Sequence, residues 1–325
     1  MIWPGGKTFA FTVIDDTDSA TVENVKPIYD LLYSRGIRTT KTVWAYPSRD
    51  GFPGQSLSDP EYRDFILSLK EKGFEIASHG AGSGVFGRDE ILAGQELFRA
   101  VLGDYPRIFI NHNVNSDCVY WGSERFSRPV ALMYALARRV LGKSRVKSGG
   151  SDPNSPSFWG DVCKQRIRFI RNHTVSEINT LKFDPDMPCR VKRKQEYSNY
   201  WFSSSDGQDA DMFCRLLTRD NVDRLAAEGG LCLVYAHFAY GFVKDGAPDP
   251  RFTEEIGYLS SLNGWFAPAG EILEYLLRQK RADSPRGAAK EFSMDAKWAL
   301  DRLTLERKHK CRGYPRSTRP NLRRH

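Results

Sequence analysis

Residues 9 to 18 read FAFTVIDDTD, an apolar, β-branched run that stops at three acids, Asp15, Asp16 and Asp18. A run of this kind closing on turn-forming carboxylates reads as a buried strand that delivers acids to an open edge. Adjacent carboxylates repel each other, so Asp15 and Asp16 call for a cation, a shared proton or several donors nearby. In a solvated turn the same pair would need none of these, and the rest of the chain decides between the two.

Downstream, strand and helix signals alternate. Val25, Ile28, Leu31 and Leu32 recur at helical spacing, and Gly36 supplies a left-handed stop. Residues 38–46 are β-rich, and Ser58-Asp59-Pro60-Glu61 then opens a helix that uses Tyr62, Phe65, Ile66 and Leu69 and ends at Gly73. Residues 74–79 alternate toward His79 and a glycine-rich turn, Asp89 caps a third helix, and 107–112 form a strand ending in His112. Over 113–160 the spacing loosens into an aromatic loop, a helix at 127–142 and a Gly, Ser and Pro-rich stretch, which predicts an insertion over one end of the sheet. Strands resume at 167–175, 200–207 and 231–238, with a helix at 221–230, and a short strand and helix follow at 265–278. The expected fold class is α/β, a (β/α)7 barrel over residues 1–280. A terminal helix over 281–306 is expected to pack on it, and a basic, disordered tail over 307–325 to follow. No GxGxxG follows the first strand and no Walker-type loop is present, so a phosphate-cradling fold has no support.

The charge is unevenly placed. The net +8 comes entirely from residue 281 onward, where 13 basic side chains face 5 acidic ones, and residues 307–325 hold eight basic and no acidic groups. The body is neutral, which argues against specific nucleic-acid binding, while the tail suits an anionic surface. The six cysteines, at 118, 163, 189, 214, 232 and 311, show no CxxC spacing and read as reduced thiols. No apolar run is long enough to cross a bilayer and the first residues lack a signal-peptide pattern, so the expectation is a cytoplasmic protein.

In parallel barrels the working residues sit at the carboxyl ends of the strands. That places Asp15, Asp16, His79, His112, Asp206 and His237 on one rim. Carboxylate and imidazole together are the ligand set of a catalytic zinc or similar ion.

These residues resemble the polysaccharide deacetylases of the NodB homology type, carbohydrate esterase family 4. Thr12 to Asp16, T-V-I-D-D, is similar to the family's T-F-D-D, which implies Asp15 as catalytic base and Asp16 as metal ligand. The family's H-[ST]-x-x-H is half present, with His79 in place and Ser83 four residues on. The late L-x-H motif resembles Leu233 to His237 at a longer spacing, which implies His237 as the acid. Where the family carries R-x-P-Y, this chain has RIFINHN, with His112 and Asn113. Adjacent strands lie about 5 Å apart, so His112 can complete the metal site from the next strand. The resemblance implies a distorted (β/α)7 barrel with an insertion after strand 4. It also implies a divalent ion (zinc, or nickel, cobalt or manganese) and removal of an N- or O-linked acetyl group from a sugar. Asn113, Asp206 and the aromatic side chains of Trp44, Trp121, Trp201 and Trp265 are candidates for sugar contact, whereas Asp184 and Asp186 read as solvated loop acids. Two alternatives stay open: a metal-free amide hydrolase of the same superfamily, to which Ser83 points, and a carbohydrate-binding barrel without chemistry.

Overall fold

The computed structural model describes residues 3–113, 115–142, 148–280 and 282–311, with side chains up to residue 304. The elements run β1 (Phe9–Asp15), α1 (Val22–Ser34), β2 (Thr40–Val43), α2 (Pro60–Glu71), β3 (Glu75–Ser78), α3 (Arg88–Leu102) and β4 (Ile108–Phe109). Then come α4 (Arg128–Val140), α5 (Gly160–Arg166), β5 (Phe169–Val175), α6 (Thr180–Phe183), β6 (Tyr200–Asp206), α7 (Ala210–Leu216), α8 (Arg219–Ala227) and β7 (Leu231–Ala236). A small hairpin, β8 (Val243–Lys244) and β9 (Ala247–Pro248), leads to α9 (Pro250–Ser261), β10 (Gly264–Phe266), α10 (Ala269–Gln279) and α11 (Ala288–Cys311).

Strands β1 to β7 are parallel neighbours in chain order, and β7 pairs back onto β1 from Ala10–Leu231 to Asp15–Ala236, closing a seven-stranded barrel. The edge of β1 away from β7 is shared: β10 pairs with its first half at Phe9 to Phe11 and β2 with its last residues, Ile14 and Asp15.

Alternation along each strand sorts the side chains into two cores. Phe9, Phe11 and Val13 of β1 pack outward with Val25, Ile28, Tyr29 and Leu32 of α1. Ala10 and Ile14 instead meet Ala77, Ile108, Ile110, Phe169, Phe202, Leu231 and Leu233, side chains from five other strands or their ends that can converge only inside the barrel. Ala269, Ile272, Leu273 and Leu276 of α10 join this inner core.

Several boundaries differ from the sequence reading. The fourth strand is only Ile108–Phe109, so His112 sits three residues beyond its end. Asp89 does not cap α3; Gly87 takes that position, and its N–H donates to Glu90 Oε2 at 3.0 Å. Helices α5, α6, α7 and α9 and the β8–β9 hairpin carry weak sequence signals, being short or filling the intervals between stronger ones. The terminal helix starts at Ala288, not 281, and reaches Cys311, five residues into the stretch expected to be a disordered tail; residues 312–325 of that stretch lie outside the described residues.

The terminal helix is rooted in the barrel by polar groups. His173 donates its Nε2–H to Asp295 of α11 at 3.0 Å while its Nδ1 accepts from Asn172 Nδ2 at 2.8 Å. Asp295 also accepts the N–H of Ser127, just before α4, at 2.6 Å. Burial, reinforced by Arg125 and Lys194, pulls the His173 imidazole down to about 4. The folded chain therefore refuses a proton that the unfolded chain accepts below about 6.5, and stability falls as pH drops through that window. Lowering the pH from 7 to 5 is expected to cost about 2 kcal/mol through this group. Urea unfolding of wild type and His173→Gln at both pH values checks this: the pH-dependent loss should shrink in the variant, and an equal loss in both would contradict it.

Candidate metal centre

The rim at the carboxyl end of the barrel continues the inner alternation. Counting in twos from inner-core residues leads from Ile14 to Asp16 and Asp18, from Ala77 to His79, from Ile110 to His112, from Phe169 to Arg171 and from Leu233 to Tyr235 and His237. All of these rim side chains are buried except Tyr235, which is partly so. The outer series of β1 leads instead from Val13 to Asp15, beneath α1.

Asp18 is the hub. Its Oδ1 lies 3.1 Å from His79 Nε2, and its Oδ2 lies 3.2 Å from His237 Nε2 and 3.5 Å from His112 Nε2. Ligand atoms of Asp18, His79 and His112 all fall within 4.8 Å of one another. Burial alone would raise the Asp18 carboxyl, but the three imidazoles bring it well below the usual carboxylate range. Burial opposes charging of His112 too, yet Asp18 carries it up to about 9. Burial opposes charging of His237 and Asp18 again outweighs it, raising that imidazole, whereas His79 is pulled down because burial there dominates. The cluster is a buried pocket that favours positive charge beside Asp18.

Supporting contacts fix the ring orientations. Asn115 donates from Nδ2 to Gly82 O at 2.6 Å and accepts the Gly84 N–H at its Oδ1. Its Oδ1, 3.1 Å from His112 Nδ1, therefore accepts a hydrogen bond from Nδ1–H, which turns Nε2 toward Asp18. His237 Nδ1 lies 3.1 Å from the carbonyl of Gln208, which fixes its Nε2 on Asp18 in the same way. Trp44 lies against two of these histidines, its ring centroid 6.3 Å from His79 and 5.6 Å from His112. Gly80 has φ +101°, and a Cβ there would stand 2.7 Å from Asp117 Oδ2, so this turn requires glycine. Burial pushes Asp117 up to about 6.

The residues nominated from the sequence divide clearly. His79, His112 and His237 converge on one carboxylate, but that carboxylate is Asp18, not Asp16. Asp16 is gripped by Arg171, with Nη1 on Oδ1 at 3.1 Å and Nη2 on Oδ2 at 2.5 Å. Asp15 is withdrawn behind the sheet: Tyr29 donates its hydroxyl to Oδ2 at 2.9 Å, the Phe238 N–H donates to Oδ1 at 2.8 Å, and Lys41 Nζ forms a fully buried ion pair with Oδ2 at 2.8 Å. Trp201 points outward, its indole N–H on Ser198 Oγ and Lys194 Nζ 3.9 Å from its ring centre, so it has no face for a sugar. Asp206 is buried and pairs with Arg302 of α11 at 2.7 Å. Trp44 is wholly buried, Trp265 packs against Trp3 and Tyr275, and Asn113 accepts the indole N–H of half-buried Trp121 at 3.1 Å. Asp184 is not a solvated loop acid; it is buried, accepting from Ser203 Oγ at 2.8 Å and pairing with Arg286. Ser83 donates to Asp50 instead of joining the histidines. Arg171 and Asn115 carry no motif; Arg171 is legible only as a charge two residues after Phe169, in the inner series of β5.

No protein-family model matches the chain, and no curated protein matches it in sequence. Among solved structures, a Mycobacterium smegmatis protein assigned as a polysaccharide deacetylase superposes with a TM-score of 0.51 at 16% identity, over 88% of this chain and 95% of that one. The chain has the polysaccharide deacetylase fold. A chitin deacetylase from the fungal pathogen Colletotrichum lindemuthianum is more distant, with a TM-score of 0.41 at 13% identity over 82% of this chain and 88% of that one. At 16% identity, the fold is what the chain shares with the Mycobacterium smegmatis protein. Among the described residues no helix is long and apolar enough to cross a membrane.

The withdrawn Asp15 gives a prediction independent of chemistry. Lys41→Met strands a buried carboxylate and is expected to cost about 3 kcal/mol of stability or more, whereas the double change Lys41→Met with Asp15→Leu should recover part of that loss. Chemical denaturation measures both. A Lys41→Met variant as stable as wild type would show that the pair is not buried as described.

Proposed function

We propose that the chain is a metal-dependent hydrolase that removes an acetyl group from an N-acetylated or O-acetylated sugar. The observation that carries this reading is the convergence of Asp18, His79 and His112 at ligand spacing, deep in the rim and beside a second carboxylate and a third imidazole. The donor set fits a zinc-like divalent ion: one carboxylate oxygen and two Nε2 atoms, His112 being turned inward by Asn115. A bound ion there supplies Lewis acidity to an acyl carbonyl and lowers the pKa of a nearby water.

The chain's own groups do the rest. Asp16, its carboxylate held in one orientation by the Arg171 fork, accepts the proton of the attacking water in this reading. This role passes from Asp15 to Asp16 because only Asp16 lies on the inner face. As the tetrahedral adduct collapses, the C–N or C–O bond breaks and His237 hands its Nε2 proton to the departing amine or alcohol. That proton is available because His237 acts as the imidazolium, its Nδ1–H donated to the Gln208 carbonyl and its Nε2–H turned to the site beside Asp18. Acetate and the free sugar leave. The metal-free alternative has less support, since His112 supplies the donor that Ser83 does not.

Elemental analysis of the purified protein, combined with acetate release from a panel of N- and O-acetylated saccharides, tests the proposal. About one equivalent of a divalent transition metal is expected. Asp18→Ala and His79→Ala should lose both metal and activity, and Asp16→Asn should keep the metal but lose activity by about 100-fold or more. Full activity after exhaustive chelation, or an Asp18→Ala variant that still releases acetate, would overturn it.

A further inference from the structure

Helix α4 carries its apolar stripe on the side facing away from the protein. Val130, Tyr134 and Arg138 form its inner face: Val130 is buried, and Tyr134 packs on Phe126 at 5.0 Å between ring centres. Leu132, Leu136 and Val140 recur one turn apart on the opposite face, with Met133 beside them, and are 73%, 63%, 78% and 69% exposed. A helix of a globular protein normally buries such a stripe. Arg128 and Arg139, both exposed, stand on the same side of the helix, four residues before Leu132 and three after Leu136, and the sequence has no acidic residue between Glu124 and Asp152.

The location is equally defined. Ser127, at the start of α4, donates its N–H to Asp295, which holds His173 on β5, so the helix is rooted at the rim end of the barrel. Helix α11, packed against it, leaves Leu300 and Leu303 more than half exposed and leads into the basic terminal stretch.

We propose that α4 docks the protein on an anionic lipid bilayer. Leu132, Met133, Leu136 and Val140 enter at headgroup depth, and the flanking arginines, led by Arg128 and Arg139, pair with lipid phosphates. A second copy of the chain is a poorer occupant, because a two-fold interface sets the same patch against itself and would bring like charges, Arg128 and Arg139 of both copies, together. An anionic bilayer complements both features at once. The helix lies on the membrane and does not cross it, in keeping with the absence of a spanning helix among the described residues.

Vesicle co-sedimentation tests this with equimolar phosphatidylglycerol and phosphatidylcholine, against phosphatidylcholine alone, at low and high salt. The full chain should bind the anionic vesicles, bind the neutral ones weakly, and release in salt. Leu132→Asp with Leu136→Asp, both exposed and so compatible with folding as checked by circular dichroism melting, should weaken binding by at least about tenfold. Arg128→Gln with Arg139→Gln should weaken it and flatten its salt dependence. A chain ending at Cys311 should keep binding that still depends on Leu132 and Leu136. The proposal is overturned if anionic vesicles are not bound, if the double Asp variant binds as wild type does, or if truncation after Cys311 alone abolishes binding. A dimer in gel filtration that the double Asp variant dissociates, with no vesicle binding, would assign the face to a second copy.

Discussion

The structure depends on the strict alternation of side chains around a closed parallel barrel. A sheet without edges has one face turned to the helices and one turned inward, and each strand commits every second residue to each. In β1 this sends Phe9, Phe11, Val13 and Asp15 under α1, and Ala10, Ile14 and Asp16 into the interior. Two acids adjacent in sequence thus acquire unrelated environments. Asp15 is stabilised by Lys41 and Tyr29 in a dry outer layer, and Asp16 meets Arg171 at the mouth of the barrel.

The inner series carries the candidate chemistry because it runs out of barrel at the carboxyl end, where apolar side chains give way to polar ones. Asp18 then collects three histidines from the ends of β3, β4 and β7. Positive charge beside Asp18, as a proton on His112 or as a cation, offsets the burial of its carboxylate. The cluster's orientation comes from the surrounding shell: Asn115 and Gln208 set two ring tautomers, Trp44 lies against two rings, and Gly80 admits Asp117 where any side chain would collide. Rigid polar groups in a low-dielectric pocket act more strongly than the same groups in water.

Much of this was legible in the sequence. The alternating strand and helix signals give the parallel barrel, and the strand ends bring His79, His112 and His237 to one rim. What misled was reading the Asp pair as a unit. Counting in twos from Phe9 would have assigned Asp15 to the helix side, and Asp18 follows Asp16 in the inner series. Trp201 fails by the same count, since Phe202 beside it holds the inner position. Other features had no local signal. The His173–Asp295 and Asp206–Arg302 pairs join residues about a hundred positions apart, and a register shift between Arg171 and Thr174 breaks the alternation that would have aimed His173 at the rim. The outward stripe of α4 reads in sequence as an ordinary amphipathic helix, because periodicity does not tell which side faces the protein.

X-ray absorption at the metal edge of the zinc- or cobalt-loaded protein addresses the central claim, that Asp18, His79 and His112 hold a divalent ion. The expected first shell has two imidazole nitrogens and carboxylate or water oxygens at about 2.0–2.2 Å, with one imidazole fewer in His112→Ala. A first shell unchanged by that substitution, or one without imidazole, would contradict the claim.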